Sequence, residues 1–564
     1  MEQTNPEGTG INRRLFLQGA GLTALAAAMA SSFSLAGCSP NESNGASSGS
    51  NAAKAEGSGS GGSNEPAWFT APEPIGDADI ADTVEADVVV VGAGMSGIAA
   101  ACSSAERGLS VNVVERGETW SGRGFGIGVA DSKVIREAGL SIDRAQSQKY
   151  WIHCCGSRVN ESLVSLFFNR SGEAMDWVID KCEKGGVSVL LWDGYSRDPE
   201  FPDSAGYHVF FGGPEQSEGR DWSRDATKLM YEDSEAAGAT YYFENTAQQL
   251  KKEGDKVVGV IATNASGENI LYKASKGVVL ATGDVVGDQE MLDYYAPEVA
   301  HCNSKLYTPI GQNTGDGHKM GLWAGGAMQQ GDFPPMLHPQ AAAYQQSAFL
   351  CLNQNGERFF NEATWINGKS LSYLRQPEQT GYVIFDKNWT EDNLASLEYG
   401  GGMFWDTFRV LGSGEWDAEA GQAGVDGAIE AGNGAKADSL EELAQAFNID
   451  ETTFLASVER YNEICETKED TDFGKDAVFL TPIKEPPFYI MKCLPALLAT
   501  VGGLKVNTDL NVTDEEGNAV EGLYAVGNVS GDFYAVDYPI NIPGNSQGRC
   551  VTWGYLVGET LASQ

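Results

Sequence analysis

Apolar positions along this chain fall into two kinds of run. The four valines at 88–91 are unbroken, the signature of a strand covered on both faces in a parallel sheet. After a glycine-rich turn, Ile98, Ala101, Cys102 and Ala105 recur at helical spacing until Gly108. A second apolar run at 111–114 then ends at Glu115. Strand, helix and strand together predict a βαβ unit. Helical periodicity returns over 160–184, where Leu163, Leu166, Phe167, Ala174, Trp177 and Val178 share a face, and again over 222–237. Strands are predicted at 241–243, leading to Thr246 and Ala247, and at 257–263 and 269–274. An Asn-Ala-Ser-Gly turn suited to a hairpin joins the last two. A buried strand over 277–280 ends in Ala281-Thr282-Gly283.

From 332 to 487 the pattern changes to aromatics, irregular loops and helices. Ser439 and Glu442 have the spacing of a capping box, ahead of a helix burying Leu440, Leu443, Ala444 and Phe447. A second helix carries Phe454, Val458, Tyr461 and Cys465. The closing stretch contains a strand-turn at 522–528, ending in Gly527-Asn528. A terminal helix then opens at Asn545-Ser546-Gln547 and runs through Trp553 and Leu556. The expected fold class is α/β, with a Rossmann-like nucleotide-binding domain over 86–331 and 488–564. An α+β capping domain is inserted over 332–487.

The turn after the first strand reads Gly92-Ala93-Gly94-Met95-Ser96-Gly97, and Glu115 lies 23 positions after Gly92. In such a G-x-G-x-x-G turn the first glycine makes the tight bend, and the second lets backbone approach a pyrophosphate. The third packs helix on strand, and the acid receives the adenosine ribose. The helix N-terminus offers free N–H groups to the phosphates. A purely structural βαβ unit is the competing explanation, and the turn alone does not separate FAD from NAD. Arg116 and the glycines at 122, 124, 126 and 128, around Ile127, predict backbone lying against something flat or anionic. A flexible loop is the alternative there.

Arg13-Arg14 before a weakly apolar stretch, and Leu35-Ala36-Gly37-Cys38 after it, predict a twin-arginine export signal over 1–38 with lipid attached at Cys38. Gln18, Thr23 and several Ser and Gly residues interrupt that stretch and weaken the transmembrane alternative. A flexible linker follows over 39–80, richest in Ser, Gly and Asn to residue 65. The expected location is the outer face of the cytoplasmic membrane. No NADH pool is replenished there, so the expected cofactor is FAD. A net charge of −40, from 78 acidic and 38 basic residues, argues against nucleic acid and against docking on anionic lipid. Nine cysteines besides Cys38 form no C-x-x-C. The vicinal Cys154-Cys155 pair is expected in the core, and the five histidines show no metal-ligand spacing.

These segments together resemble the fumarate reductases and their soluble flavocytochrome c relatives over roughly 86–564. The further motifs that carry the resemblance are Thr314-Gly315-Asp316-Gly317, His338-Pro339 and the G-E-R-F-F-N-E run at 356–362. They continue in Val458-Glu459-Arg460-Tyr461-Asn462, Asp472-Phe473-Gly474, Pro486-Pro487-Phe488-Tyr489, Gly502-Gly503 and Gly544-Asn545. The resemblance implies FAD contacts at Gly92, Gly94, Ser96, Gly97, Glu115, Ala281, Gly283, Asp316, Asn545 and Ser546. The full candidate cofactor set adds Ala93, Met95, Arg116, Gly122, Gly126, Ile127, Gly128, Ala247, Thr282, Gly527, Asn528 and Gln547. Non-covalent attachment is expected, because 121–128 holds no histidine for the family's linkage.

In that family a flavin hydride reaches an α,β-unsaturated acid and an arginine of the capping domain supplies the proton, while other Arg and His residues hold carboxylates. Here the positions matching the acid arginine, a histidine and a second arginine are Ile366, Ala499 and Asn541, and only His338 persists. Unpaired carboxylates in a dry site are costly, so fumarate itself is not the expected acceptor. Tyr538, Lys369, Tyr534 and Tyr373 are candidates for the missing roles, with Tyr538 as proton donor. Tyr538-Pro539 resembles the Tyr-Pro of 3-ketosteroid dehydrogenases. Packing tyrosines, and a surface position for Lys369, are the alternatives. The expected function is an exported FAD-dependent reductase of an activated C=C bond in anaerobic respiration, supplied by a membrane-linked cytochrome or flavoprotein. Two other readings stay open: a dehydrogenase that inserts a C=C bond with Tyr538 as base, and a non-catalytic flavin-fold binding lipoprotein.

Overall fold

The valines at 88–91 are almost wholly buried because their strand lies between two parallel neighbours. A computed structural model describes residues 66–564 except 125, 193–203, 214, 216–222, 307–311, 342–347 and 397–417. The predicted export signal, the lipid site Cys38 and the tether to residue 65 lie outside the described residues. No helix among the described residues is long and apolar enough to cross a membrane.

Strand β1 (Ile80–Val91) leads into helix α1 (Met95–Glu106) and strand β2 (Val111–Val114). Helix α2 (Glu161–Lys184) starts where the Asn160 side chain accepts the Ser162 N–H, and it buries Leu163, Phe167, Ala174 and Val178. An antiparallel pair that the periodicity does not predict follows, β3 (Ser188–Trp192) and β4 (Tyr207–Phe211). Next come helix α3 (Arg224–Ala236) and strands β5 (Thr240–Tyr242), β6 (Thr246–Glu253), β7 (Lys256–Thr263) and β8 (Asn269–Leu280). The two strands predicted at 269–274 and 277–280 form one strand. Both halves pair with β1, and an irregularity between Ala86 and Val88 absorbs the mismatch. Helix α4 (Asp316–Trp323) ends this part.

The cap follows as β9 (Pro335–Ala341), β10 (Leu350–Asn353), helix α5 (Ile366–Leu374), β11 (Gly381–Phe385) and β12 (Gly434–Ala437). Helices α6 (Leu440–Ala446) and α7 (Glu451–Thr467) and strand β13 (Phe488–Thr500) complete it. Ser439 Oγ accepts the Glu442 N–H at 3.3 Å, the bond expected of the capping residue. Strand β13 pairs with β9, β11 and β12, so the second sheet extends through residue 500, past the predicted division at 487/488. Strands β14 (Asn511–Thr513) and β15 (Ala519–Ala525) and helix α8 (Asn545–Ala562) return to the first sheet.

The main sheet runs β14-β15-β8-β1-β2-β5, with β6 and β7 as an antiparallel meander on β8. The β15–β8, β8–β1, β1–β2 and β2–β5 pairs are parallel, so the C-terminal ends of the central strands share one edge. In open parallel sheets ligands bind outside that edge.

In the cap, four charged side chains are buried together. Arg358 binds Glu362 through Nε and Nη2, both at 2.8 Å, and Asp470 through Nη1 at 3.1 Å and Nη2 at 2.8 Å. Lys475 Nζ lies 3.2 Å from Glu362 and donates to the Tyr461 hydroxyl at 2.8 Å. The G-E-R-F-F-N-E run thus ties the β10 turn to the segment after α7.

Candidate active site

A cleft opens at the C-terminal ends of β1, β2 and β8. Gly92 sits at φ +107°, and a Cβ there would lie 2.6 Å from the Ala281 carbonyl oxygen. Only glycine permits both the backbone angle and the approach of the two strands. A Cβ on Gly97 would lie 1.9 Å from the Gly92 oxygen, which explains the third glycine as helix-on-strand packing. Gly94 is different: the nearest atom to its would-be Cβ is Ser121 Oγ at 3.9 Å, so its backbone faces open space. Gly94 is also the N-cap of α1 and makes no side-chain capping bond. Bare backbone at an uncapped helix start fits a pyrophosphate.

Glu115 holds the turn in shape. Its Oε2 accepts the Ala93 N–H and its Oε1 the Gly117 N–H, both at 2.7 Å. Bonds to a charged group contribute about 1.5–3 kcal/mol each. Glu115→Ala is therefore expected to raise the dissociation constant for FAD at least ~10-fold. Fluorescence of flavin released from the purified protein measures this.

Most of the candidate cofactor set converges on the cleft. Gly92, Gly94, Met95 and Ser96 line it from β1 and α1, Glu115 and Arg116 from the end of β2, and Ala247 from β6. Ala281, Thr282 and Gly283 line it from β8, Asp316 from α4, and Asn528, Ser546 and Gln547 from the C-terminal part. Arg116 reaches across, with Nη1 3.1 Å from both Asp316 Oδ2 and Thr314 Oγ1.

Other members stand behind the lining. A Cβ on Gly126 would strike the Tyr207 ring, and one on Gly128 would lie 1.7 Å from the Pro543 oxygen. Ile127 exchanges backbone bonds with His208 at 2.9 and 3.0 Å. The glycines at 126 and 128 are thus required by protein neighbours, where the sequence pointed to a ligand. Gly122 packs against Thr227 and Gly527 against Ser96. Asn545 is committed internally, accepting from the Tyr534 hydroxyl and donating to the Pro539 and Ile542 carbonyls.

Arg123 and Asn313, absent from the sequence-derived set, also line the cleft. Behind them Asp284 is fully buried, accepting from the Val286 N–H at 2.9 Å and Asn313 Nδ2 at 3.1 Å. Burial pushes its pKa up to about 6, against those bonds and the Arg123 charge. The charged residue directly after Ala-Thr-Gly was the available signal.

Of the residues proposed for the substrate side, Tyr538 is buried and its hydroxyl oxygen accepts the Ser546 N–H at 3.0 Å, at the start of α8. Burial raises its pKa, so the phenol stays protonated at neutral pH. His338 is half-buried on β9, opposite Ala496. Lys369 is 1% exposed, which overturns the surface alternative, and its charge acts on the Cys351 thiol. Tyr373 receives the Cys351 S–H at 3.3 Å within the cap core, a packing role. Cys155 is buried and Cys154 half-buried, close to the core placement expected for the pair. Ile366, Ala499 and Asn541 are all buried. No cluster of His, Cys, Asp and Glu that could hold a metal occurs among the described residues.

Residues 87–538 match the family described as FAD binding domain. The chain belongs to that family. The flavoprotein is 25% identical over 501 residues to an NADH:fumarate oxidoreductase of Klebsiella pneumoniae, covering 85% of this chain and 48% of that one. It is thus similar to about half the length of that relative. It is 26% identical over 499 residues to a vinyl phenol reductase of Lactiplantibacillus plantarum, covering 84% of this chain and 94% of that one. The open conformation of a flavocytochrome c3 fumarate reductase superposes with a TM-score of 0.64 at 22% identity, over 86% of this chain and 79% of that one. The fold is the fumarate reductase-like one, and the protein is an FAD-dependent oxidoreductase.

Proposed function

We propose that this flavoprotein saturates an activated C=C bond in a small organic acceptor other than fumarate. The observation that carries the reading is the Tyr538 hydroxyl. Its oxygen receives the Ser546 N–H, so its own proton is uncommitted to that partner, whereas Tyr534 spends its proton on Asn545. FAD, held by the Gly92–Gly97 turn and Glu115, supplies the hydride when bound. Tyr538 supplies the proton at the other carbon, and the buried apolar side chains at 366 and 499 exclude water. Without cationic side chains at 366, 499 and 541, two carboxylates would find no partners at those positions. A relative named for reducing vinyl phenol, whose substrate has no carboxylate, supports this. The flavin is held without a covalent bond. The protein is exported, anchored by lipid at Cys38, and receives electrons from a membrane-linked cytochrome or flavoprotein.

The test supplies reduced dye with unsaturated acceptors and, separately, oxidised dye with their saturated products. Faster reduction of alkenes than oxidation of alkanes is expected. A protein that only oxidises the saturated compounds is a dehydrogenase instead.

A further inference from the structure

The loop between Phe533 and Gly544 carries a carboxyl group that the reaction above does not use. The Asp537 N–H donates to the Ala535 carbonyl at 2.6 Å, a three-residue turn that holds Val536 at φ +64°. A β-branched residue is strained there and persists only where its surroundings impose it. Val536 is 55% exposed, so burial of its own side chain does not account for the turn.

What the turn achieves is the placement of Asp537. Its Oδ1 accepts from Asn367 Nδ2 at 2.5 Å and from the Tyr538 N–H at 2.7 Å, and the Trp365 side chain also donates to the carboxyl. Asn367 also accepts the Leu337 N–H at 2.8 Å and donates to the Pro335 carbonyl at 3.1 Å, fixing the strand that bears His338. Asp537 therefore joins the start of α5, the His338 strand and the Tyr538 loop. These are the elements on which the substrate-side positions lie.

The carboxyl is half-buried, and among the described residues no lysine or arginine forms an ion pair with it. Glu298, another acid, is the charged side chain that acts on it. Asn541 repeats the polarity. Its Nδ2 donates to the Ser147 carbonyl at 3.1 Å, which orients the amide and leaves a buried Oδ1 without a partner. Hydrogen-bond acceptors thus stand near positions where the resembling family places cationic donors.

We propose that the site selects unsaturated compounds that are uncharged or cationic and offer a hydrogen-bond donor, that Asp537 receives that donor, and that carboxylates are rejected. The inference rests on the reductase reading above. Cinnamate, cinnamamide and cinnamamidine share one shape and carry a negative, no and a positive charge. Their binding to the oxidised, FAD-loaded protein can be followed by the shift of flavin absorption, which needs no turnover. The wild type is expected to bind the amide and the amidine at least ~10-fold more tightly than cinnamate. Asp537→Asn should remove most of that difference and Asp537→Glu should keep it. Equal or tighter binding of cinnamate by the wild type, an unchanged order in Asp537→Asn, or no binding of any of the three overturns the proposal. The wild-type order decides even where Asp537→Asn fails to keep its flavin. Turnover of no alkene by a protein that shows the expected order would count against the reductase reading and leave the selectivity standing.

Discussion

Arg358→Met is expected to destabilise the cap by about 3–5 kcal/mol, the usual cost of removing one partner from a buried ion pair. Arg358 is 7% exposed, and the carboxylates it binds, Glu362 and Asp470, are 1% and 0% exposed. Methionine fills much of the volume but, among the described residues, leaves Glu362 only Lys475 as an ion-pair partner and Asp470 none. For a unit of 150–250 residues at about 2–4 °C per kcal/mol, the thermal midpoint should fall on the order of 10 °C. Burial works against ionisation of Glu362, but the Lys475 and Arg358 charges win and hold its pKa below the ordinary value. Asp470 is held low as well, against burial, by Arg358 and by backbone N–H donors. Groups with depressed pKa values stabilise the fold above the ordinary carboxylate range, and that contribution is lost as pH falls through the depressed values. In the variant both acids protonate more readily. The gap between wild type and variant should therefore narrow below about pH 4. Calorimetry of the two proteins at neutral and acid pH measures it. A midpoint unchanged at neutral pH would mean that the cluster is not what ties β10 to the segment after α7.

How much of this was legible in the sequence depends on the range of the contacts concerned. The β1–α1–β2 unit is local: Gly92, Gly97 and Glu115 act within a short stretch, and their spacing foretold both the turn and the cleft. The Ser439 cap and the α2 face are local in the same sense. The division of the domains is not. A Pro-Pro step at 486–487 marks a break, but β13 belongs with the cap because it pairs with β9 and β11, a fact absent from its own residues. Asp537 was invisible for the same reason, since its partner Asn367 is 170 residues away. The glycines at 126 and 128 mislead from sequence because the close approach they permit is to the chain itself. The surface alternative for Lys369 fails because a lysine in a helix is ordinarily solvated, whereas this one is buried and its charge acts on the Cys351 thiol.

Tyr538→Phe is expected to slow turnover of an activated alkene by about 10²–10⁴-fold, the range for loss of a positioned general acid. Flavin content and thermal stability should stay close to wild type. The ring itself is retained, and with it the contact to Tyr534 at 5.4 Å between centroids. What disappears is the hydroxyl, and two roles must be told apart. As an acceptor for the Ser546 N–H it stabilises the start of α8; bonds of this kind contribute only about 0.5–1.5 kcal/mol. As a proton source it acts solely during reduction, so its loss lowers kcat and kcat/KM together and leaves substrate binding little changed. Burial outweighs the Ser546 bond and the Arg549 charge in setting the Tyr538 pKa, so the phenol is a weak but constantly protonated acid. Wild-type turnover should consequently show no loss attributable to Tyr538 ionisation up to about pH 9, below the ordinary tyrosine value. Tyr534→Phe is the matched control, because that hydroxyl donates to Asn545 and has no proton to spare. A Tyr538→Phe protein that turns over as fast as the wild type, with Tyr534→Phe equally active, would move the proton source away from this loop.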